Sequence, residues 1–324
     1  MKKILITGAG GFIGSHLVET CLQRGALVRA FVRYNSQNSW GWLEKLRDHD
    51  HLEIIAGDVR DYDMVAKALE GCESIFHLAA LIGIPYSYVS PLAYIRTNIE
   101  GTYNVLQVAK ELGVKNVLVT STSETYGTAQ YVPIDEKHPL NAQSPYAATK
   151  IAADQLALSF YCSFGLPVKV VRPFNTFGPR QSARAIIPTI ITQILSGQRE
   201  IRLGNTSPTR DFTYVKDVVE AFWAIYQSDQ FFGEVTNIGM GTEISIGDLA
   251  QTIARLLNEE VEIITDDQRV RAKDSEVERL CCDATQLKIK TRWQPQYTLE
   301  SGLKETIGWI EKELNLYKAE LYNV

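Results

Sequence analysis

The chain has 324 residues, of which 45% are hydrophobic, and its formal net charge is −5. This length and apolar content support one large domain or two modest ones with a substantial core. Because nucleic acids and anionic membranes attract basic surfaces, the net charge argues against either as the main partner.

The cysteines, histidines and apolar runs exclude further classes. The five cysteines show no CxxC spacing and their odd number prevents complete pairing, so we expect reduced thiols in a cytoplasmic protein. The five histidines are scattered without ligand spacing, so no metal site is predicted. Glycines interrupt the apolar run near residue 1, which is therefore expected to be neither a signal peptide nor a membrane span.

The first half of the chain alternates short apolar runs with helical patterns. KKILIT is the first predicted strand, and a helix is predicted over residues 12–24. The same rhythm continues through ALVRAFV, LEIIAGD, SIFHLAA, NVLVTST and VKVVRPF. Strands that are apolar throughout and alternate with helices are typical of a parallel sheet covered on both faces. The sequence therefore predicts an α/β fold with a Rossmann-type, doubly wound parallel sheet.

The pattern changes after Pro179. EIRLGN, DFTYV, EVTNIG and VEIIT are short candidate strands mixed with helices, which indicates a smaller mixed α/β C-terminal lobe. We expect residues 1–179 to form a dinucleotide-binding domain and residues 180–324 a substrate-binding lobe. Part of 212–240, including a helix over 215–227, is expected to pack back on the first domain.

The segment TGAGGFIGSHL follows the first predicted strand and opens the first predicted helix. Gly8, Gly11 and Gly14 have the GxxGxxG spacing. Glycines in this context let the backbone approach a pyrophosphate at the helix N-terminus, so a dinucleotide site is favoured over an ordinary turn. The residues predicted to bind the cofactor are Gly8, Gly11, Phe12, Ile13, Gly14, Arg33, Asp58, Val59, Leu78, Ala79, Ala80, Tyr146 and Lys150.

The end of the second strand indicates which dinucleotide binds. NAD sites usually have an acidic residue there for the ribose hydroxyls, whereas this chain has Val32 followed by Arg33. An arginine can form charge-assisted hydrogen bonds with a 2′-phosphate, so the sequence favours NADP over NAD. Alternatively, Arg33 is a surface residue and the pocket accepts both. Asp58 in GDVRD either hydrogen-bonds the adenine ring or caps the helix that begins near Tyr62.

The motif YAATK places Tyr146 and Lys150 on one face of a predicted helix. A lysine ammonium beside a phenol stabilises the phenolate and lowers the pKa of the tyrosine. The phenolate can then accept a hydroxyl proton while hydride leaves the same carbon. The alternative is a coincidental pair on an amphipathic helix. The motif STS one βα unit earlier, in a chain with a dinucleotide fingerprint, favours the catalytic interpretation.

Together, TGAGGFIG, HLAA, STSETYG, YAATK and RPFNTFGP resemble the motifs of extended short-chain dehydrogenases/reductases, in the branch that acts on nucleotide sugars. The resemblance covers essentially the whole chain. It implies a triad of Thr122, Tyr146 and Lys150, in which Thr122 hydrogen-bonds the substrate hydroxyl that Tyr146 deprotonates. By the same resemblance, Lys150 also holds the nicotinamide ribose.

The resemblance also assigns the substrate site. Asn175 and Arg210 match family positions that contact the sugar-nucleotide diphosphate, and Arg271 and Glu276 lie where the C-terminal lobe usually closes on the nucleotide. Solvated surface charge is the alternative for the arginines. The segment 80–95 is expected to line the sugar pocket, with Tyr86 or Tyr88 against the sugar ring unless these tyrosines only pack.

Glu124 stands where epimerases of this branch usually carry an uncharged residue. The 4,6-dehydratases carry a carboxylate there, because a base must remove the C5 proton once C4 is a ketone, and an acid must help the C6 hydroxyl leave. The resemblance therefore implies a 4,6-dehydratase that forms a 4-keto-6-deoxy sugar and regenerates a tightly bound NADP or NAD. A structural carboxylate that caps a helix or pairs with a lysine is the alternative for Glu124.

Two sequence features narrow the implied substrate. Glucose-nucleotide dehydratases often have aspartate before the glutamate, whereas this chain has Ser123, as in GDP-mannose dehydratases. The resemblance then implies that Ser123 is a hydrogen-bond partner of Glu124. It does not identify the group that protonates the leaving C6 hydroxyl. RYNSQNSWGWLE and RAKDSEVERL resemble dehydratases of legionaminic-acid-type biosynthesis, which act on UDP- or GDP-linked N-acetylglucosamine. That likeness implies an acetamido sugar for bacterial surface glycans and does not distinguish uridine from guanine.

Other functions share most of these motifs. A C4 epimerase or a uronate decarboxylase would use the same scaffold; a product lighter by one water would indicate the dehydratase, and carbon dioxide release the decarboxylase. A non-enzymatic NADP-sensing protein would be expected to lose Tyr146 or Lys150, and both are present. The family commonly dimerises through helices beside the catalytic tyrosine, and NIEGTYNVLQVAKELG and AATKIAADQLALSFYCSF suit such a four-helix homodimer interface or burial within one subunit.

Overall fold

The computed structural model describes residues 2–37, 39–319 and 321. Its strands, in chain order, are β1 (Lys3–Thr7), β2 (Leu27–Arg33), β3 (Leu52–Gly57), β4 (Ser74–His77), β5 (Asn116–Thr120), β6 (Val168–Pro173), β7 (Asn175–Phe177), β8 (Glu200–Leu203), β9 (Thr209–Arg210), β10 (Phe212–Tyr214), β11 (Val235–Ile238), β12 (Ile244–Ser245) and β13 (Glu262–Thr265).

A seven-stranded sheet forms the centre of the described chain. Its order is β3-β2-β1-β4-β5-β6-β11, and every neighbouring pair is parallel. The chain moves outward from β1 in one direction and from β4 in the other, so the crossovers place helices on both faces. The predicted Rossmann-type doubly wound fold is confirmed. The C-terminal EVTNIG strand, β11, completes the main sheet beside β6.

The helices cover this sheet and build the C-terminal part of the molecule. In chain order they are α1 (Phe12–Gln23), α2 (Tyr62–Leu69), α3 (Ile84–Val89), α4 (Pro91–Tyr94), α5 (Gly101–Glu111), α6 (Pro145–Phe164), α7 (Ile186–Leu195), α8 (Val215–Gln227), α9 (Ile246–Leu256), α10 (Thr285–Thr291) and α11 (Leu299–Lys312). A π-helical stretch, Ile95–Glu100, leads into α5.

Alternate residues of β1 show why both sheet faces are covered. Ile4 and Ile6 point into a core that also contains Leu17 of α1 and Phe222 of α8. Leu5 points into a second core, formed with α2, α5 and α6. Side chains alternate between the faces of a strand, so a run that is apolar at every position needs cover on each side. The predicted helix over 215–227 packs back on the sheet in this way, while the division of the chain at residue 179 stays our proposal.

Short strand pairs position the C-terminal residues relative to the sheet. β7 pairs in parallel with β10, which sets Asn175 opposite Phe212. β9 pairs antiparallel with β12, which sets Arg210 opposite Ile244. β8 and β13 form a further parallel pair. Among the described residues, no helix is both long enough and apolar enough to cross a bilayer.

Candidate active site

A cleft of about 940 Å³ follows the carboxyl ends of the parallel strands. Ligand sites of open α/β sheets lie at this edge, beside the point where the strand order reverses. Tyr88 excepted, the structure brings every site residue expected from the sequence to the wall of this cleft. They are Gly8, Gly11, Phe12, Ile13, Gly14, Arg33, Asp58, Val59, Leu78, Ala79, Ala80, Tyr86, Thr122, Ser123, Glu124, Tyr146, Lys150, Asn175, Arg210, Arg271 and Glu276.

The glycine loop between β1 and α1 forms the floor of the cleft. Gly8 has φ +68, and a Cβ there would lie 2.9 Å from the Ala79 backbone nitrogen. A Cβ on Gly14 would overlap the Gly8 carbonyl. The loop therefore packs as closely as only glycines permit. Helix α1 begins at Phe12 without a side-chain cap, which leaves its first amides available to an anion. These features fit a dinucleotide pyrophosphate.

The end of β2 and the start of the segment after β3 line one end of the cleft. Arg33 is exposed there beside Asp58. The Asp58 carboxylate pairs with Arg60, whose Nε lies 2.9 Å and Nη2 2.5 Å from its two oxygens. This pairing lowers the pKa of Asp58. The alternative of Asp58 as a helix cap is wrong, because Asp61 caps α2 by accepting from the Met64 amide at 3.1 Å.

Tyr146 and Lys150 lie on the cleft side of α6. Ser144 caps this helix by accepting from the Ala147 amide at 3.1 Å, and Pro145 follows in its first turn. The cap sets the start of the helix, so Tyr146 is held in its first turn. The Tyr146 side chain interacts with the Thr122 hydroxyl, and the Lys150 Nζ donates to the Thr120 carbonyl at 2.5 Å.

Burial dominates the electrostatics of the tyrosine–lysine pair. It raises the pKa of Tyr146 well above its usual value; the hydrogen bond with Thr122 lowers that pKa, and the charge of Glu124 raises it further. Burial also lowers the pKa of Lys150. Burial is thus the largest influence on both groups, and the lowering of the Tyr146 pKa by Lys150 stays a prediction.

Glu124 lies in a short 3₁₀ turn, Ser123–Tyr126, that follows β5. The Thr122 hydroxyl caps this turn by accepting from the Glu124 amide at 3.3 Å. The capping role considered for Glu124 is thus filled by Thr122. Within residues 2–37, 39–319 and 321, no donor pairs with the Glu124 carboxylate, which faces the cleft between Tyr146 and Arg210.

Two arginines and a carboxylate line the other end of the cleft. Glu276 Oε1 lies 3.4 Å from Arg210 Nη2 and 3.3 Å from Arg271 Nη1. Arg210 is buried, and burial lowers its pKa while the charges of Glu124 and Glu276 raise it. The neighbouring Asn175 has a buried Oδ1 without a partner among the described residues. Such a group suits a polar ligand, because a buried acceptor without a partner is unfavourable.

Sequence reasoning missed several residues that line the same cleft. Asn35, Ser39 and Trp40 lie near Arg33, and Gln181, Ser182 and Arg184 lie at the sugar end. The Trp42 amide donates to the Gly10 carbonyl at 3.2 Å, so the loop after β2 rests on the glycine loop. Some of these residues could have been found because they lie close to recognised motifs in the sequence. Arg60 follows GDV, and Gln181 to Arg184 follow RPFNTFGP. Tyr88, in contrast, bonds to Ser275 and does not line the cleft.

A glycine loop that faces a buried tyrosine–lysine pair across a doubly wound sheet is the arrangement of extended short-chain dehydrogenases/reductases acting on nucleotide sugars. The fold and the cleft place the chain in this class of proteins. More narrowly, the chain belongs to the GDP-mannose 4,6 dehydratase family, whose family model matches residues 5–306.

Relatives within this class carry three different activities in their names. A UDP-N-acetyl-alpha-D-glucosaminuronate decarboxylase from Bacillus cytotoxicus is 34% identical over 96% of this chain and 98% of its own. A dTDP-glucose 4,6-dehydratase from Streptomyces griseus is 31% identical over 95% of this chain and 94% of its own. The solved UDP-glucuronic acid 4-epimerase from Bacillus cereus, in complex with UDP-glucuronic acid and NAD, is 26% identical, has a TM-score of 0.89, and covers 97% of this chain and 100% of its own. These relatives therefore support a nicotinamide cofactor and the scaffold of a nucleotide-sugar enzyme.

Proposed function

We propose that this protein is a nucleotide-sugar 4,6-dehydratase that converts UDP- or GDP-linked N-acetylglucosamine to its 4-keto-6-deoxy derivative. The observation that carries the proposal is the position of Glu124. Its carboxylate, which has no hydrogen-bond or ion-pair partner among the described residues, lines the cleft beside Tyr146 on the turn that Thr122 caps. An epimerase needs no second acid–base group at this place, whereas an elimination does.

The first step is removal of the C4 hydroxyl proton. Thr122 and Tyr146 would both contact this hydroxyl, and Tyr146 would accept the proton while Lys150 holds the nicotinamide ribose. A bound nicotinamide would supply the acceptor for the C4 hydride and its donor to C6, and its oxidised form would add a positive charge that favours the Tyr146 phenolate. Burial of Tyr146 excludes water from this transfer.

The second step is the elimination. The C4 ketone acidifies the C5 proton, and Glu124 would accept it and then assist departure of the C6 hydroxyl as water. A proton added at C5, which balances the one that Tyr146 accepted from the C4 hydroxyl, would complete the 4-keto-6-deoxy sugar. Ser123 is buried beside Glu124, and we propose it as the hydrogen-bond partner of the carboxylate. Both proton transfers then use one side chain, which must alternate between base and acid.

The cofactor proposed for this site is NADP. Arg33 is exposed at the cleft wall, where a 2′-phosphate would extend from the adenosine ribose. Asp58, the carboxylate on the next strand end, is paired with Arg60, which reduces the repulsion that a free acid would exert on a phosphate. Arg33 and Arg60 together favour the extra phosphate over the plain ribose hydroxyls.

The substrate would lie across the cleft with its nucleotide toward Glu276. Asn175 and Arg210 would contact the diphosphate, and Arg271 and Glu276 would close on the nucleotide. Tyr86, half-exposed at the sugar end, would contact the hexose. The sequence resemblance supports an acetamido sugar and a role in bacterial surface-glycan synthesis, and turnover of the UDP- and GDP-linked sugars identifies the base.

We also propose a cytoplasmic homodimer built through α5 and α6. Tyr103 and Phe164 lie on the outer face of these two neighbouring helices and are 44% and 56% exposed. Two copies of the pair would form a four-helix interface. The five unpaired cysteines support a reducing compartment. Analytical ultracentrifugation of Phe164→Glu should show the monomer; a wild-type protein that is itself monomeric would contradict the proposal.

Mass spectrometry of products from a panel of sugar nucleotides tests the function. The proposal predicts a product lighter by one water from UDP- or GDP-N-acetylglucosamine, with no net change in the cofactor. A product of unchanged mass with inverted C4 would show an epimerase and contradict it. Retained NADP binding without turnover of any sugar nucleotide would favour a binding protein.

A decarboxylase is the second candidate, because one residue at the sugar end suits a uronate. Arg184 lies against Gly83, near the Tyr94 ring that contacts Tyr146. Its guanidinium is bonded at Nε to Ser182 at 3.3 Å and lines the cleft. A C6 carboxylate could pair with it, and the relative from Bacillus cytotoxicus is named as a decarboxylase. Release of carbon dioxide from a UDP-linked uronate would establish this activity.

A further inference from the structure

A buried ion pair lies directly behind the catalytic face of α6 and has no part in the steps above. Asp154 lies one turn after Lys150, and Arg172 lies on β6. Arg172 donates to Asp154 Oδ2 from Nε at 3.0 Å and from Nη2 at 2.9 Å, and the side chains of the arginine and the aspartate are 2% and 0% exposed. Replacement by apolar residues often costs a protein little stability, so stability alone is a weak reason for such a pair.

The same carboxylate joins the two elements that carry the catalytic groups. Ser121 Oγ donates to Asp154 Oδ2 at 2.7 Å, and Ser121 directly precedes Thr122. Lys150 of α6 also contacts the end of β5, since its Nζ donates to the Thr120 carbonyl. Asp154 thus fixes the end of β5 against α6. It also leaves its own Oδ1 buried without a partner among the described residues.

The charges in this cluster do not cancel. Lys150 and Arg172 are two basic groups, and Asp154 is the acidic group that interacts with both; burial raises the pKa of Asp154, and the charges of Arg172 and Lys150 lower it. Burial lowers the pKa of Lys150, and the Asp154 charge raises it again. The same charge raises the pKa of Tyr146, although burial is the larger cause there. One carboxylate therefore shifts both partners of the tyrosine–lysine pair in the same direction.

The other groups around Lys150 leave Asp154 as its counter-charge. Tyr146 lies one turn before Lys150 on α6, and both the Tyr94 ring of α4 and the charge of Glu124 act on Tyr146. His77 on β4 is neutral, since burial, followed by the Lys150 charge, lowers its pKa to about 3. The π-helical stretch and α5 also pack against α6, and their charged side chains lie at the surface or toward the far end of α6: Arg96, Glu100, Lys110 and Glu111.

We propose that Asp154, held by Arg172 and Ser121, is a positioning residue that keeps Lys150 charged and sets the protonation of Tyr146 during proton transfer at C4. Asp154 acts through Lys150 and does not touch the substrate. The proposal deepens the proposed function, since it assumes that Tyr146 and Lys150 carry out the C4 step. The consequence is a charge rule: the protonation of Lys150 follows the net charge of the cluster.

Direct titration of Lys150 tests this rule without any substrate. The protein is labelled with ¹³C at lysine Cε, and the Lys150 signal is assigned with Lys150→Arg. Asp154→Asn raises the cluster charge by one and should lower the titration midpoint of Lys150 by at least about one pH unit. Arg172→Met lowers the charge by one and should raise the midpoint. The double variant Asp154→Asn/Arg172→Met restores the charge and should return the midpoint to near its wild-type value.

The three variants separate charge from packing. A role in packing alone predicts no midpoint change, or the same change in all three variants, and either result overturns the proposal. If Asp154→Asn fails to fold, Arg172→Met still tests the charge rule, because the titration midpoint of Lys150 must rise in that variant. A midpoint that falls or stays unchanged would overturn the proposal. The double variant, with no ion left unpaired in that pair, is the one best able to keep the fold.

The pH profile of cofactor reduction on mixing with sugar nucleotide provides the kinetic readout. Asp154→Asn should move the whole profile to lower pH, because Tyr146 and Lys150 both lose the effect of the carboxylate. A profile that falls in height without moving would show a structural role and overturn the proposal. Absence of cofactor reduction in the wild-type protein would instead refute the proposed function, while the lysine titration would still decide the role of Asp154.

Discussion

The two walls of the cleft are built differently. The wall formed by β5 and α6 holds Tyr146 and Lys150 buried, and Lys150 Nζ donates to the Thr120 carbonyl at 2.5 Å. The C-terminal wall holds Arg210 and Arg271 on Glu276 through longer ion pairs of 3.4 and 3.3 Å, and Arg271 keeps 28% of its side chain exposed. The first wall is preorganised for proton transfer, and the second retains charges that a ligand can rearrange.

This difference explains why relatives with this scaffold carry out different reactions. Under the proposed function, oxidation at C4 would use the buried wall, and the decarboxylase, dehydratase and epimerase relatives match this chain over 95–97% of its length. The fate of the oxidised sugar would then depend on a few side chains such as Glu124 and Arg184. Substitutions in the two walls should therefore have different effects. Those in the β5–α6 wall should cause large losses in reaction rate, and those in the C-terminal wall should cause graded losses in substrate binding.

The largest effect is expected at the buried wall. Tyr146→Phe removes the group that accepts the C4 proton and should slow cofactor reduction by at least about 10³-fold. Stopped-flow absorbance of the reduced nicotinamide measures the rate. Tyr94→Phe is the matched control, since its ring lies 6.2 Å from that of Tyr146 and its hydroxyl bonds only to the Gly83 carbonyl among the described residues. Equal losses in both variants would refute the distinct role of Tyr146.

A smaller effect is expected at the C-terminal wall. Arg210→Gln removes a buried charge from the proposed diphosphate site and should raise KM about 100-fold with little change in the rate of cofactor reduction. Arg271→Gln, at a half-exposed position, should raise KM less because water screens its charge. The comparison uses KM and kcat for the same sugar nucleotide. A larger change in kcat than in KM for Arg210→Gln would show that this residue acts in the chemistry.

The cofactor end should respond through selectivity. Arg33→Ala is expected to reduce the preference for NADP over NAD by about 10- to 100-fold, since it removes a charged hydrogen-bond donor to the 2′-phosphate. Fluorescence titration of the two cofactors measures the ratio. Arg47→Ala is the control, because Arg47 pairs with Asp48 outside the cleft. An unchanged ratio in Arg33→Ala would favour a site that accepts both cofactors.

The smallest effect concerns the two aspartates beside this end. Asp61 caps α2, so Asp61→Ala should lower the free energy of unfolding by about 1 kcal/mol. Asp58→Ala removes only a partly exposed ion pair with Arg60 and should cost less. Chemical denaturation of both variants gives the comparison. A larger loss for Asp58→Ala would show that the capping assignment is incomplete.

Sequence reasoning identified the residues whose chemistry is contained in a local motif. Gly8, Gly14, Tyr146 and Lys150 could be found because the backbone of one turn or one helix face dictates their spacing. The sheet could be predicted because its strands are apolar at most positions on both faces and alternate with helices, a pattern typical of a doubly covered parallel sheet.

The features that were missed depend on contacts between distant segments. Asp154 and Arg172 meet only because α6 packs on β6, and nothing in either local pattern marks them as a pair. The raised pKa of Tyr146 was also not predictable from the YAATK spacing, since the degree of burial is set by the whole cleft. Local spacing gives the neighbours of a group, whereas desolvation depends on the complete fold.

The most direct test of the proposed dehydratase is Glu124→Gln in a single turnover with UDP- or GDP-N-acetylglucosamine. Reduced nicotinamide is followed by absorbance and the sugar product by mass, with Glu278→Gln as a control carboxylate outside the cleft. A catalytic Glu124 predicts cofactor reduction at close to the wild-type rate and dehydrated product at least about 10²-fold slower to form. Dehydration at the wild-type rate in Glu124→Gln would contradict this role.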